Sequence, residues 1–183
     1  MLVLISLVAG CDKELKKART FEEQGDWPKA QEALEQAIKK KPDNPVYQNE
    51  LGYVYQQRGY FGESEKTYTR AIQMDPYYLE AFYNRGSLYF SMGKINESKK
   101  DFEKVISLDK NYAKAYNNIG LLNVTYFNKQ DEALNNYKKA IELEPDNPIY
   151  HSNLAELYKK MGKLDLAREE AERARVLGGG KGG

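Results

Sequence analysis

The chain has 183 residues, 41% of them hydrophobic and 30% charged, with a formal net charge of +1, a composition that fits a soluble globular protein long enough to bury a continuous core. Basic and acidic residues alternate along almost the whole length, so no segment gathers the one-sided basic face that a nucleic-acid partner needs, and no such partner is expected. One cysteine and one histidine exclude an intrachain disulfide and are too few for a Cys/His metal cage, so neither metal nor any other cofactor is expected.

Residues 1–10 open with the apolar run Leu2 to Ala9, which is shorter than the roughly 20 residues a membrane-spanning helix requires. The run ends in Val8-Ala9-Gly10-Cys11, small residues before a cysteine. This order resembles the lipobox of bacterial lipoproteins, which implies cleavage before Cys11, acylation of its thiol and anchorage to the bacterial cell envelope. Asp12 directly after the cysteine resembles the signal for inner-membrane retention in some Gram-negative bacteria, though inner and outer membrane both stay open. The alternative for Cys11 is an inert, buried thiol at the start of a helix, which would go with a cytoplasmic protein.

From residue 11 onward the sequence repeats itself. Leu51, Gly52, Tyr55, Gly59 and Ala71 recur 34 residues later as Arg85, Gly86, Tyr89, Gly93 and Val105. The same frame gives Ile119 and Gly120, then, after one inserted residue near Tyr126 to Gln130, Ala140, and it continues to Leu154, Ala155, Tyr158 and Gly162. The repeats are 11–44, 45–78, 79–112, 113–147 and 148–181, in an array over 11–177, with a Gly-rich tail over 178–183 that is expected to be flexible. Apolar residues at helical spacing, such as Leu51, Val54 and Tyr55 and then Tyr68, Ala71 and Ile72, predict two helices per repeat and ten in all. The strings Pro42-Asp43-Asn44-Pro45 and Pro145-Asp146-Asn147-Pro148 each close one helix and open the next, with Asn as N-cap and Pro at the first helical position. The insertion is expected to lengthen or distort the turn inside the fourth hairpin.

The period, together with Leu51-Gly52-x2-Tyr55, Ser64-x3-Tyr68 and Pro76, resembles the tetratricopeptide repeat (TPR) family. That resemblance implies an all-α solenoid of about five antiparallel helix hairpins stacked into a right-handed superhelix with one concave groove. It also implies a protein-interaction scaffold and not an enzyme, with a groove lined by the first helix of each pair. Transferring the family's groove positions gives Asn49 and Tyr53 in the second repeat, Tyr83, Asn84, Ser87 and Phe90 in the third, and Lys114, Asn117, Asn118 and Leu121 in the fourth. An aromatic and amide-rich lining suits an extended or helical peptide, since Asn both donates to and accepts from a backbone. Asn84, Asn118 and Asn153 share one frame position, either as a ladder facing a ligand or as packing residues between hairpins. Of the family's carboxylate clamp only Asn84 and Lys114 match, so chaperone C-terminal tails are not expected partners.

Among the 15 tyrosines, Tyr55, Tyr68, Tyr89, Tyr116, Tyr137 and Tyr158 fall at packing positions, whereas Tyr53 and Tyr83 are turned to the groove. His151 stands where the family prefers a large aromatic and is expected to pack. A lipobox followed at once by TPR hairpins is similar to the pilotin-like lipoproteins of type IV pilus assembly and to lipoproteins that dock peptidoglycan hydrolases. The expected function is an envelope-anchored adaptor for a protein or peptide. The alternatives are a structural array that forms homo-oligomers, burying Leu164, Leu166 and Val176, and a cytoplasmic adaptor or co-chaperone.

Overall fold

The computed structural model describes residues 13–179, so Cys11, the apolar run before it and the last four residues lie outside the described part. The chain divides into two compact units, Met1–Gly93 and Lys94–Gly183. The first holds α1 (Lys13–Glu23), α2 (Trp27–Lys40), α3 (Pro45–Gln57), α4 (Phe61–Met74) and α5 (Leu79–Ser91). The second holds α6 (Ile95–Leu108), α7 (Ala113–Thr125), α8 (Gln130–Leu143), α9 (Pro148–Lys160) and α10 (Leu164–Leu177). The ten described helices fall two to a repeat in the frame read from the sequence, and no strand occurs among the described residues.

Helix boundaries follow the predicted caps. Asn44 Oδ1 accepts from the Val46 amide at 3.0 Å and Asn147 Oδ1 from the Ile149 amide at 3.1 Å, each satisfying a donor that the helix itself leaves unpaired. Pro45 and Pro148 then occupy the first helical position, where the missing N–H has no cost.

Within a hairpin the turn is three residues long, as at 58–60 and 161–163, with a left-handed glycine at Gly59 (φ 77°) and Gly162 (φ 73°). The closing bond runs from Tyr60 N to Tyr55 O at 2.8 Å and from Lys163 N to Tyr158 O at 2.9 Å. The fourth hairpin departs from this as the insertion predicts. Its turn spans 126–129, the left-handed position is filled by Asn128 (φ 52°), and the closing bond reaches one residue further back, from Lys129 N to Asn123 O at 2.9 Å. The added length brings Phe127 under Lys99 of α6, whose ammonium lies 4.9 Å from the ring centroid and also meets Asn123 Oδ1 at 3.3 Å.

Small residues let the helices of a hairpin approach, and one large ring then fills the seam. In the first unit the Tyr68 ring is fully buried against the backbone of Gly52, where a Cβ would meet it at 2.7 Å, and Ser64 Oγ donates to Gly52 O at 2.7 Å. In the second unit Tyr137 lies against Gly120 in the same way, again at 2.7 Å. The first unit's core gathers Ala30, Ala33 and Leu34 of α2 with Leu51 and Val54 of α3; that of the second gathers Ala133 and Tyr137 of α8 with Leu154, Leu157 and Tyr158 of α9. Within each unit the incoming helix of the next hairpin completes the apolar stripe, α3 on α1–α2 in the first and α9 on α7–α8 in the second.

Candidate functional site

The residues expected to line a groove fall in both units, and each unit is described on its own. In the first, α3 packs beside α5. Asn49, expected on the open lining, is instead buried at 5% exposure, and its Oδ1 accepts from Asn84 Nδ2 at 3.0 Å. The reason is geometric: the fifth residue of a first helix is turned toward the sixth residue of the next first helix. Asn49 therefore serves as a strut between hairpins. Burial pushes the neighbouring Tyr78 phenol up to about 12, with the carboxylates of Glu80 and Glu50 adding to the effect and the Asn49 side chain opposing it.

Tyr53 stands clear of this amide layer, whereas Tyr83, the fifth residue of α5, holds the frame place of Asn49. Tyr53 is exposed at 37% and meets Trp27 edge-on with ring centroids 6.0 Å apart, while Tyr83, Asn84, Ser87 and Phe90 of α5 are half-buried. The Ser87 hydroxyl donates to Tyr83 O at 3.0 Å.

The second unit repeats the arrangement. Asn117, also expected to be open, is buried at 7% and accepts from Asn153 Nδ2 of α9 at 2.7 Å, while its own Nδ2 donates weakly to Asn118 Oδ1 at 3.4 Å. Asn84 and Asn153 thus reach back one frame position to Asn49 and Asn117, which supports the packing role for asparagine here. Lys114 is exposed, and Asn118 and Leu121 are half-buried.

Glu50 had not been singled out, although it stands at one of the groove positions. It holds the frame place of Asn84 and Asn118, and it pairs with Arg19 of α1 at 2.6 Å. Beside that pair lies Glu22 of α1, whose Oε1 is buried without a hydrogen-bond partner. Burial, with the Glu50 and Glu23 carboxylates beside it, pushes Glu22 up to about 7 against the pull of Arg19. Glu50's position in the frame was the available signal. A carboxylate among asparagines at one register breaks the pattern and needs a cation nearby.

His151 is a structural residue, as expected. It is buried, with Nδ1 2.6 Å from Glu170 Oε2 of α10 and Nε2 2.8 Å from the Pro145 carbonyl. Tyr68, Tyr137 and Tyr158 are buried and Tyr55, Tyr89 and Tyr116 half-buried. Tyr47 and Tyr150, at 1% and 2% exposure, are core residues that the repeat pattern had not singled out. No group of three His, Cys, Asp or Glu suited to a metal ion occurs among the described residues, and no described helix is long and apolar enough to cross a membrane.

Sequence models of the tetratricopeptide repeat match residues 15–78 and 79–112, and a TPR repeat model matches 127–162. Among solved structures, PilF of Pseudomonas aeruginosa superposes with a TM-score of 0.85 at 19% identity, over 92% of this chain and 76% of that one. MamA from Desulfovibrio magneticus RS-1, residues 41 to its end, gives 0.78 at 17% identity over 96% and 100%. A thermophilic TPR protein of Thermus thermophilus gives 0.73 at 22% identity over 90% and 89%. At these identities the likeness is one of fold.

Proposed function

The chain belongs to the tetratricopeptide repeat family, and we propose that it is an adaptor that holds a segment of a partner protein on the face carrying Tyr53, tethered to a bacterial envelope membrane through Cys11. TPR arrays act in general as scaffolds for protein–protein interaction and not as enzymes. What carries the reading here is the exposed Tyr53 ring, braced by Trp27. An aromatic held in place by another ring loses little rotamer freedom on binding and offers a large contact area, which is how interface anchors behave.

Beneath that surface the paired amides of Asn49 and Asn84 are spent on each other, so they fix the spacing of α3 and α5 rather than reaching for a ligand. A partner then meets aromatic side chains on a preset framework, with the half-buried Ser87 and Phe90 alongside. The tether rests on the order of apolar run, small residues and Cys11 in the sequence.

The partner face is tested by replacing Tyr53 with Ser. The expected result is an unchanged thermal transition with loss of the protein that co-purifies with the wild type. Retention of that protein by the folded variant refutes the assignment. The tether is tested by intact mass after expression in a bacterial host with the natural upstream sequence. Loss of the residues before Cys11 with gain of acyl mass, abolished by Cys11→Ala, is expected, and an unprocessed soluble wild type contradicts it.

A further inference from the structure

The charges of the first hairpin are sorted along its helices. Lys13, Lys16 and Lys17 stand in the opening turns of α1, and Lys39, Lys40 and Lys41 at the close of α2, all of them exposed. Because the helices run antiparallel, the two runs meet at one end, where Lys40 Nζ reaches Glu14 Oε1 at 2.5 Å. The described carboxylates at that end are Glu14 and Asp43, with Asp12 a third in the sequence. The Lys40 hydrogen bond, with the charges of Lys40, Lys17 and Lys13 behind it, holds the Glu14 carboxyl below the usual range. At the turn end the same hairpin carries Glu22, Glu23 and Asp26, with Lys29 paired to Asp26 at 2.6 Å. The α4–α5 link of the next hairpin has Asp75 and Glu80 beside it, so the excess of positive charge belongs to the α1–α2 end alone.

Half of this charge has the wrong sign for the helix that bears it. Lys39 and Lys40 sit in the last turn of α2, where a cation stabilises the helix. Lys13, Lys16 and Lys17 crowd the positive end of the α1 dipole and oppose it. Lys13, Lys16 and Lys39 have no ion-pair partner among the described residues, and Lys17 rests only over the Phe21 ring, 5.8 Å from its centroid. The fold therefore does not call for these lysines, and what balances them is a negative surface outside the chain. Neither run is long, and the sequence keeps them a hairpin's length apart; only the folded hairpin adds them together.

We propose that this lysine end of the α1–α2 hairpin docks on the anionic headgroups of a phospholipid bilayer. The choice of a bilayer over another polyanion rests on the tether proposed at Cys11, which lies two residues before Lys13, at most about 7 Å of extended chain. A lipid on Cys11 keeps Lys13 and its neighbours within roughly one Debye length of the headgroups, about 8 Å at physiological salt, where each lysine adds to the attraction. The contact also gives the first unit a direction. Tyr53 lies eight residues along α3 from its start at the same end, about 12 Å at 1.5 Å per residue, so the partner face stands clear of the headgroups.

The test uses the full chain with Cys11→Ala, so that no acyl group contributes, sedimented with vesicles of phosphatidylcholine alone or with about one third phosphatidylglycerol. The expected result is binding at least about tenfold tighter to the anionic vesicles, lost near 1 M salt, where the Debye length is about 3 Å. Adding Lys13→Glu, Lys16→Glu and Lys17→Glu together brings binding down to the level of the neutral vesicles, while the Tm holds or rises because glutamate suits a helix N-terminus. The same charge change at the exposed Lys100, Lys138 and Lys160 of the second unit leaves binding intact. Residues 1–10 are common to all these proteins, so attachment through them shows as equal binding to both vesicles. Equal binding to both, equal loss in the two triple variants, or tighter binding to a random DNA duplex than to the anionic vesicles at the same salt overturns the proposal. The intact-mass experiment reads the tether separately. An unacylated chain that still binds through these lysines refutes the tether alone, and an acylated chain whose Cys11→Ala form ignores the anionic vesicles refutes the docking alone.

Discussion

Gly52 and Gly120 show how much one absent Cβ decides. The Tyr68 and Tyr137 rings they face are buried and hemmed in, so neither can swing aside for a methyl group. Gly52→Ala and Gly120→Ala are each expected to cost about 1–3 kcal/mol in denaturant unfolding. Gly62→Ala, on the open side of α4 with nothing near its Cβ position, is expected to be neutral or to stabilise by up to about 1 kcal/mol, because it differs only in backbone entropy. A second residue-scale effect sits at Glu22. Its folded carboxyl is raised from 4.5 to about 7, so between those pH values the folded chain keeps a proton that the unfolded chain has released. Stability from this group therefore falls as pH rises through that window, and the loss is complete above it. Glu22→Gln removes the decline. Discounted for the partial exposure of the side chain, the gain at pH 8 is about 1 kcal/mol, with none below about pH 4.5, and thermal melts of both proteins across about pH 4–8 measure it.

At the scale of the element, the hairpin turns follow one design with one exception. Three residues and a left-handed glycine suffice at 58–60 and 161–163, whereas the turn at 126–129 needs a fourth residue and gives the left-handed place to Asn128. Asparagine tolerates that conformation better than other residues with a Cβ. Asn128→Ala is expected to lower stability by about 1 kcal/mol, measured as a shift of the denaturant midpoint at unchanged slope, and a neutral result means that the turn makes no such conformational demand. Much at this scale was legible beforehand. The 34-residue frame placed all ten described helices, the two Asn-Pro caps located the starts of α3 and α9, and the inserted residue marked the one turn that differs. The exposure of Asn49 and Asn117 was not legible. Periodicity assigns a residue to a face of its own helix, but whether that face is open depends on what the next hairpin sets against it, and here that is Asn84 and Asn153. Glu50 was marked by its place in the frame, a carboxylate where Asn84 and Asn118 stand, but its partner Arg19 in the preceding hairpin was not.

At the scale of the whole molecule, the structure separates residues that hold the array together from residues that present a surface. The asparagine pairs, the buried tyrosines and His151 belong to the first group, and Tyr53 with its half-buried neighbours on α5 to the second. The adaptor proposed here needs a frame whose aromatic face is left open. The most direct measurement places a photo-crosslinking phenylalanine analogue at position 53 or, on the second helix of the same hairpin, at the exposed Lys66, in the chain expressed in its own cells. An adaptor that binds through this face gives one discrete crosslinked protein from position 53 and none from 66. Equal crosslinking at both, or a product at 66 alone, contradicts it.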